Sequence, residues 1–362
     1  PDLAHALLLF GGAPLLLLYL LLSIFIQATR KCVSSAGCTF PGGGSLAKPI
    51  TADERRSCFT VEAKARLSMV MSWDAAMTMR YMCYIAYVVW VLLYGSTLTY
   101  MTLAVLIEWL KGIGMWYVVA AIFFVVGLLM FLIPVVPGIA VYLCAGVLLT
   151  PVCEDAMGYV GALMFGSALS YALKIIAHIL QQKMIGELMG NSIKVRATVG
   201  VNSSVMHAIR HILERPGLTV PKMAILCGGP DWPTSVICGI LRIPLYETCV
   251  GLMPIVALTV PTTVAGAFQL RTDEGAVWAS LASVMLITAT IMQLGAALIA
   301  VYYIEEVRRT ETLDYPIEEA VAAYDGKAAA RKASYRRVAA EVRGPVRWLL
   351  VLGTTSLVGT AW

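Results

Sequence analysis

The sequence predicts an all-α polytopic membrane protein with about six to seven transmembrane helices, two of its segments being Pro/Gly-broken re-entrant hairpins in an inverted-repeat arrangement. Three observations carry this expectation. Of the 362 residues, 59% are hydrophobic and 14% charged, with a mean hydropathy of +0.79, whereas soluble domains are about a quarter charged. Apolar runs of about 20 residues recur, the length that crosses a core of about 30 Å at 1.5 Å per residue. Two further apolar runs are interrupted by prolines and glycines, Pro134–Gly138 and Cys227–Pro233.

The same composition excludes a disordered chain, a collagen-like chain and a small disulfide framework. The net charge of +5 is mild, and no polar domain gathers it into the basic surface that nucleic acid requires, so no nucleic-acid partner is expected. A basic excess of this kind belongs on loops facing anionic headgroups.

Residues 3–28 form the first span, because the apolar run is too long for a secretory leader and has no basic segment before it. The start at Pro1 and the end at Trp362 inside an apolar run are expected of a processed or partial chain. Residues 29–79 make a polar loop with a turn at Pro41-Gly42-Gly43-Gly44, and 60–79 a short helix. Spans at 82–108 and 113–133 flank a tight turn at Lys111-Gly112, with Trp109 and Trp116 placed as in an aromatic belt. The prolines Pro134 and Pro137 cannot lie in a straight helix, and the twelve apolar residues at 139–150 are too few to span. Glu154-Asp155 marks a turn before a span at 157–180.

Residues 181–215 are amphipathic: Asn202 is placed as an N-cap and Val205, Met206, Ile209, Ile212 and Leu213 follow helical spacing up to Pro216-Gly217. The second break, Cys227-Gly228-Gly229-Pro230-Asp231-Trp232-Pro233, separates apolar 223–226 from 236–241, and neither half spans. Spans at 246–269 and 275–304 follow, then a charged helical tail with Pro316 near its start and a break at Gly326. The expected organisation is an N-terminal span and loop (1–80), a membrane core (81–304), a charged tail (305–344) and a short apolar helix (345–362).

The two breaks are the most informative feature. A helix ending at membrane depth leaves unpaired N–H and C=O groups, each costing several kcal/mol in hydrocarbon. Such ends persist only beside water, protein or a polar ligand, and in transporters they mark a midplane site. A polar groove inside the bilayer is therefore expected.

The residues from about 120 to 270 resemble the DedA/VTT superfamily, the SNARE-associated Golgi-protein group. The matching pattern is P-x-x-P-G at Pro134 to Gly138, then Ala145-Gly146, the small residues Gly161, Gly166 and Ala168, and Lys174; in the second half Gly229-Pro230 precedes Cys238-Gly239-Ile240-Leu241-Arg242-Ile243-Pro244. The resemblance spans roughly 40% of the chain. It implies two opposed re-entrant hairpins and a role in lipid movement, since eukaryotic members are described as phospholipid scramblases and bacterial members are linked to carrier flipping and proton coupling. Where many bacterial members carry an acidic residue and an arginine, this chain has Ile139 and Cys227, which favours passive scrambling over a proton-coupled flippase.

The residues expected to line the groove are Pro134, Pro137, Gly138, Gly146, Lys174, Gly229, Pro230, Asp231, Gly239 and Arg242. Asp231 is either a carboxylate working at membrane depth or a cap for a helix starting at Thr234. Arg242 either holds a lipid phosphate or snorkels to headgroups, with Glu247 placed to pair with it. Lys174 and His178, one turn apart, share a face and either draw anionic headgroups or mark a span end. His207 and His211 also share a face, which suits a wet amphipathic surface better than a metal site without a third ligand. The glycines serve close packing and backbone geometry.

No nucleotide, zinc-hydrolase or nucleophile-elbow motif is present, and GGGSLAK before Pro49 lacks phosphate-loop spacing. No enzymatic activity, cofactor or metal is expected. Nine cysteines include no C-x-x-C pair. Cys32, Cys38 and Cys58 share the polar loop, and the other six sit in or beside apolar segments as small hydrophobes.

If both hairpins return to the side they enter, loop 29–79 and segment 181–222 lie on opposite faces, with 181–222 and the tail cytosolic. The sequon at Asn202 should then carry no glycan. The expected partners are membrane lipids, in an endomembrane or plastid membrane. The alternatives to a lipid-moving protein are an ion- or proton-coupled carrier of a small anion and a structural subunit of a larger membrane assembly.

Overall fold

The computed structural model describes residues 2–35, 57–71, 73, 75–311, 313, 315–341 and 353. Among these residues every regular element is helical. Five helical stretches are long and apolar enough to cross a membrane: Pro14–Cys32, Thr78–Leu110, Gly138–Gly190, Leu245–Gln269 and Ala276–Thr310. The stretch Trp116–Leu132 is apolar but shorter, so five replaces the expected six to seven among the described residues. The expected helix at 345–362, the glycine turn at 41–44 and Cys38 lie outside them.

The chain divides into two units, Pro1–Leu93 with Arg331–Trp362 and Tyr94–Ala330. The first unit contains α1 (Asp2–Ser35) and α2 (Val61–Met71), so the first helix continues past the expected end at 28. Ser23 Oγ lies 3.0 Å from Thr60 Oγ1 and accepts from Thr60 N at 3.0 Å, which ties the start of α2 to α1. His5 stacks on Trp73 at 4.0 Å, and Phe10, Met82 and Val89 close over buried Ala86.

Helix α3 (Ala75–Lys111) leads into the second unit. Helix α4 (Trp116–Leu132) is apolar on all sides, as a helix with no wet face should be. The P-x-x-P turn follows. Pro137 is the N-cap of α5 (Gly138–Leu180), its fixed φ of −74° suiting a helix entry. Helix α5 is broken at Gly158, whose φ of +71° and ψ of 165° reverse the chain. Limbs 138–157 and 159–180 fold back on each other, so that a Cβ on Gly166 would rest in ordinary contact with Leu149 Cβ and Ala145 O. The turn expected at Glu154-Asp155 therefore sits three residues later, where glycine permits a left-handed backbone.

Beyond Leu180 the helix widens into a π turn, Gln181–Gly186, and continues as α6 (Glu187–Gly190). Then come α7 (Ile193–Val199) and α8 (Ser204–Glu214). Ser203, one residue after the expected Asn202, caps α8, accepting from Met206 N at 3.3 Å. The second break separates α9 (Val220–Gly228) from α10 (Asp231–Ile240). Each is about 15 Å long, half a bilayer core. Helices α11 (Leu245–Leu252), α12 (Val256–Gln269) and α13 (Ala276–Thr310) complete the apolar body. Pro230 and Pro244 are the N-caps of α10 and α11, so α5, α10 and α11 each start on a proline. Helix α14 (Glu319–Glu341) runs through Gly326 without the expected interruption.

Two apolar clusters fill the second unit. One joins α4 to both limbs of α5 through Phe123, Phe131, Leu148, Leu149 and Leu173. The other joins α8, α9, α10 and α11 through Ile212, Leu213, Leu226, Ile240 and Leu252. Small residues set the close approaches. A Cβ on Gly146 would strike the backbone of Thr263 and Ala267, and one on Gly239 would strike the backbone of Gln182 and Gly186, the arrangement by which membrane helices gain dispersion energy in place of a hydrophobic drive.

Candidate functional site

The two breaks meet. Helix α4 ends at Leu132, leaving the carbonyls of its last turn without partners inside the helix. Two side chains from elsewhere take them: Gln181 Nε2 donates to Phe131 O at 2.6 Å and Trp232 Nε1 to Leu132 O at 3.2 Å. The first comes from the π turn and the second from the start of α10. Three carbonyls at the ends of α9 and α10 and in the turn before α11 are closed in the same manner. Gln293 Nε2 donates to Gly228 O at 3.1 Å, Arg196 Nη1 to Ile240 O at 2.7 Å, and Gln182 Nε2 to Ile243 O at 2.8 Å. Thr248 Oγ1 donates to Gln182 Oε1 at 2.6 Å and so completes that amide.

At the centre Lys174 Nζ donates to Asp231 Oδ1 at 2.6 Å. The lysine side chain is 2% exposed and the aspartate 29%. A Cβ on Gly138 would run into Asp231 Oδ2 and stand 3.1 Å from Phe131 Cε1. The glycine thus lets the carboxylate lie against the N-terminus of α5, while Asp231 is itself the first residue of α10. Two helix N-termini and one ammonium surround this carboxylate, and both dipole ends favour a negative charge. The pair is ringed by Phe131, whose ring centroid lies 5.9 Å from Lys174 Nζ, and by Tyr142, tilted against Phe131 at 5.6 Å.

One turn further along α5, His178 Nδ1 lies 2.8 Å from Ser235 Oγ. Ser235 spends its single hydroxyl proton on Asp231 O, at 3.0 Å. The imidazole must therefore donate from Nδ1, which leaves Nε2 a bare acceptor. That atom, Gln181 Oε1 and Tyr142 Oη are buried without a partner among the described residues. Lys174, His178 and Gln181–Gln182 form one polar stripe, facing α10 and α11 from α5 and its π turn. A π turn shifts the side-chain register, which is how two adjacent glutamines both reach buried partners.

The expected groove residues separate into groups. Pro134, Pro137, Gly138, Lys174, Gly229, Pro230 and Asp231 belong to the meeting of the two breaks. Gly229 is closed by Thr234 Oγ1 and Ile225 O, which a Cβ would strike. Gly146 serves the crossing of α5 with α12, and Gly239 the crossing of α10 with the π turn. Arg242 stands apart at the end of α10, its Nη2 donating to Asn191 Oδ1 at 3.2 Å.

Three expectations are corrected. Asp231 does not cap a helix starting at Thr234: α10 starts at Asp231, with Pro230 as its cap, because proline supplies the entry φ without a donor. Glu247 does not pair with Arg242. It takes buried Lys222 at 2.6 Å and Gly217 N at 3.1 Å, because the turn after α10 brings α11 beside α9. Lys174 and His178 are not at an exposed span end, both being 1% exposed. His207 and His211 face Tyr315, and His211 Nε2 lies 2.6 Å from Glu311.

Sequence reasoning missed Gln181, Gln182, Ser235, Lys222, Tyr142 and Arg196. Isolated polar residues inside apolar runs were the available signal for the first four. Limb 159–180 and α12 form an open apolar cleft of about 490 Å³ lined by Met164, Ser167, Tyr171, Val256, Val260 and Val264 among others. Comparison of the chain with protein-family models, with curated proteins and with solved structures finds no match.

Proposed function

We propose that this chain moves phospholipids between leaflets, headgroups passing along the polar seam between the two breaks while acyl chains stay among apolar helix faces. The single observation that supports it most is the convergence of both proline–glycine breaks on the Lys174–Asp231 pair. In this reading 134–150 and 220–240 are re-entrant hairpins, and the likeness of P-x-x-P-G and G-x-x-x-[MI]-P to the DedA/VTT superfamily points the same way. The buried atoms without partners among the described residues, His178 Nε2, Gln181 Oε1 and Tyr142 Oη, give the seam capacity for a polar guest. The apolar cleft between limb 159–180 and α12 suits an acyl chain. No covalent step is needed: the seam lowers the cost of carrying a headgroup through hydrocarbon.

Liposomes holding the purified chain and a fluorescent phospholipid in both leaflets test this directly. A membrane-impermeant reductant quenches about half the dye in protein-free vesicles, since spontaneous flipping must carry the headgroup through the core. Loss well beyond half is expected with the protein, and Gly138→Leu, which displaces Asp231, should return it toward half. Protection of half the dye by folded protein in sealed vesicles would reject lipid movement.

A second reading, transport of a small anion coupled to an ion or proton, is favoured by an ion pair between buried Lys174 and half-buried Asp231 at the point where both breaks meet. A pH-gradient dependence of anion uptake that disappears in Asp231→Asn would select it.

A further inference from the structure

We propose that a cationic cleft at the C-terminal end of α10 binds the phosphate of an anionic membrane lipid. Two cavities of about 370 and 420 Å³ share Asn191 and Arg242. Lys183 and Glu187 line the first, Arg196, Arg210 and Glu318 the second. Most of these charges are committed. Arg196 holds Glu318 through two nitrogens and Ile240 O through a third, and Arg210 holds Glu214 at 2.7 Å. Arg242 is exposed, and among the described residues its guanidinium hydrogen-bonds to the neutral amide of Asn191 while Glu318, already held by Arg196, lies across the second cavity. Lys183 pairs with Glu187 at 2.6 Å, but with side chains 47% and 40% exposed that pairing is weak and easily exchanged.

The backbone at Arg242 carries the argument further. Its φ of +56° is left-handed, and among the described residues no other non-glycine has a positive φ. Arg242 N donates to Gly239 O and Ile243 N to Cys238 O, both at 3.0 Å. These two bonds define the helix-ending turn whose left-handed position is usually glycine. An arginine there gives up local stability and places a planar guanidinium at the mouth of the cleft. Backbone strain of this kind persists where a side chain serves a purpose, and a planar fork matches phosphate oxygens in pairs.

The rim indicates what bears the phosphate. Leu188, an apolar side chain 69% exposed, lines the rim of the first cavity. A free anion has no use for such a rim, whereas a lipid places its glycerol and acyl carbons there. This site does not require that lipid cross the bilayer, since it would hold a headgroup in a protein that transports nothing.

Thermal unfolding of the full chain in nonionic detergent tests the site, with phosphatidic acid, phosphatidylcholine or soluble glycerol 3-phosphate added. Phosphatidic acid should raise Tm more than phosphatidylcholine, and glycerol 3-phosphate at equal concentration should leave it unmoved. Arg242→Gly should raise the lipid-free Tm by about 2 °C by relieving the left-handed backbone, yet weaken phosphatidic acid binding about tenfold. Arg242→Gln, which keeps the strain and removes the charge, should weaken binding equally without the rise in Tm. An unchanged response to phosphatidic acid in both variants would overturn the site. A full response to glycerol 3-phosphate would overturn the lipid as its ligand and assign the cleft to a soluble phosphate.

Discussion

Lys174 and Asp231 stand 57 residues apart in the chain and 2.6 Å apart in space. Each alone would be costly inside a bilayer. Together with two helix N-termini they form a compensated group whose members depend on one another. Removing one partner should cost far more than removing both, because a lone buried charge keeps its desolvation penalty. Asp231→Leu, which strands the buried Lys174 ammonium, is therefore expected to destabilise by about 3 kcal/mol, and adding Lys174→Met to recover much of that loss. Thermal unfolding of both single variants and the double variant in detergent measures this. Equal and additive losses would show that the two side chains are not coupled. Gly138 belongs to the same unit, since only a residue without Cβ leaves room for the carboxylate.

Among the elements, the linker after α13 is held to α7 and α8 by polar contacts. Arg215 Nη2 lies 2.5 Å from Glu311 and Arg196 grips Glu318. Tyr315 donates to Glu214 at 3.1 Å, and buried Val321 follows in the apolar cluster. The hydrogen bond from Arg215 holds the Glu311 carboxyl below the usual carboxylate range, and that from Arg196 does the same for Glu318. Burial, aided by Glu214, pushes the Tyr315 phenol up to about 12. The signs follow. A lowered carboxylate contributes stability above its ordinary pKa of about 4.3, and loses it as pH falls through the lower folded value. A raised phenol contributes below about 10 and loses it as pH rises toward 12. The protection of amides over 315–321, measured relative to intrinsic exchange at each pH, should therefore be high and constant between about pH 6 and 8 and fall below about pH 4. Exchange that is fast at neutral pH would show that these pairs do not hold the linker.

On the scale of the whole molecule, the same clasp bears on orientation. Asn202 is bonded twice to the backbone of Glu318, Nδ2 donating to O at 3.2 Å and Oδ1 accepting from N at 3.0 Å. A glycan on Nδ2 would stand where Glu318 packs. Asn202 should remain unmodified when the chain is made through a secretory membrane, with no glycosidase-sensitive mobility shift. Such a shift would overturn both the clasp and the cytosolic placement of 181–222. At 35 residues, α13 is about 50 Å long, which exceeds the core by some 20 Å. Its end carries the Glu305–Arg308–Arg309 cluster, with pairs at 2.7 and 2.5 Å, as expected of a turn beyond the apolar layer.

Helical class and membrane character follow from the sequence alone, because apolar runs of spanning length and a shortage of charge are local properties. The two breaks are equally local: Pro134, Pro137 and Pro230 lack the donor a continuing helix needs, and the helices stop there. The sequence also named Gly138, Lys174 and Asp231, since glycine beside proline and charge inside an apolar run are visible without coordinates. Only the tertiary structure decided which partner each charge takes. Glu247 stands five residues from Arg242 yet closes on Lys222, and Asp231 reaches back 57 residues to Lys174. The reversal at Gly158, rather than at the acidic pair before it, is likewise a matter of packing, because Gly166 must come to rest against Leu149 and Ala145. Apolar length and proline position are written residue by residue, whereas the pairing of buried polar groups depends on which helix ends meet, and that is settled by the closest packing of small residues across the whole unit.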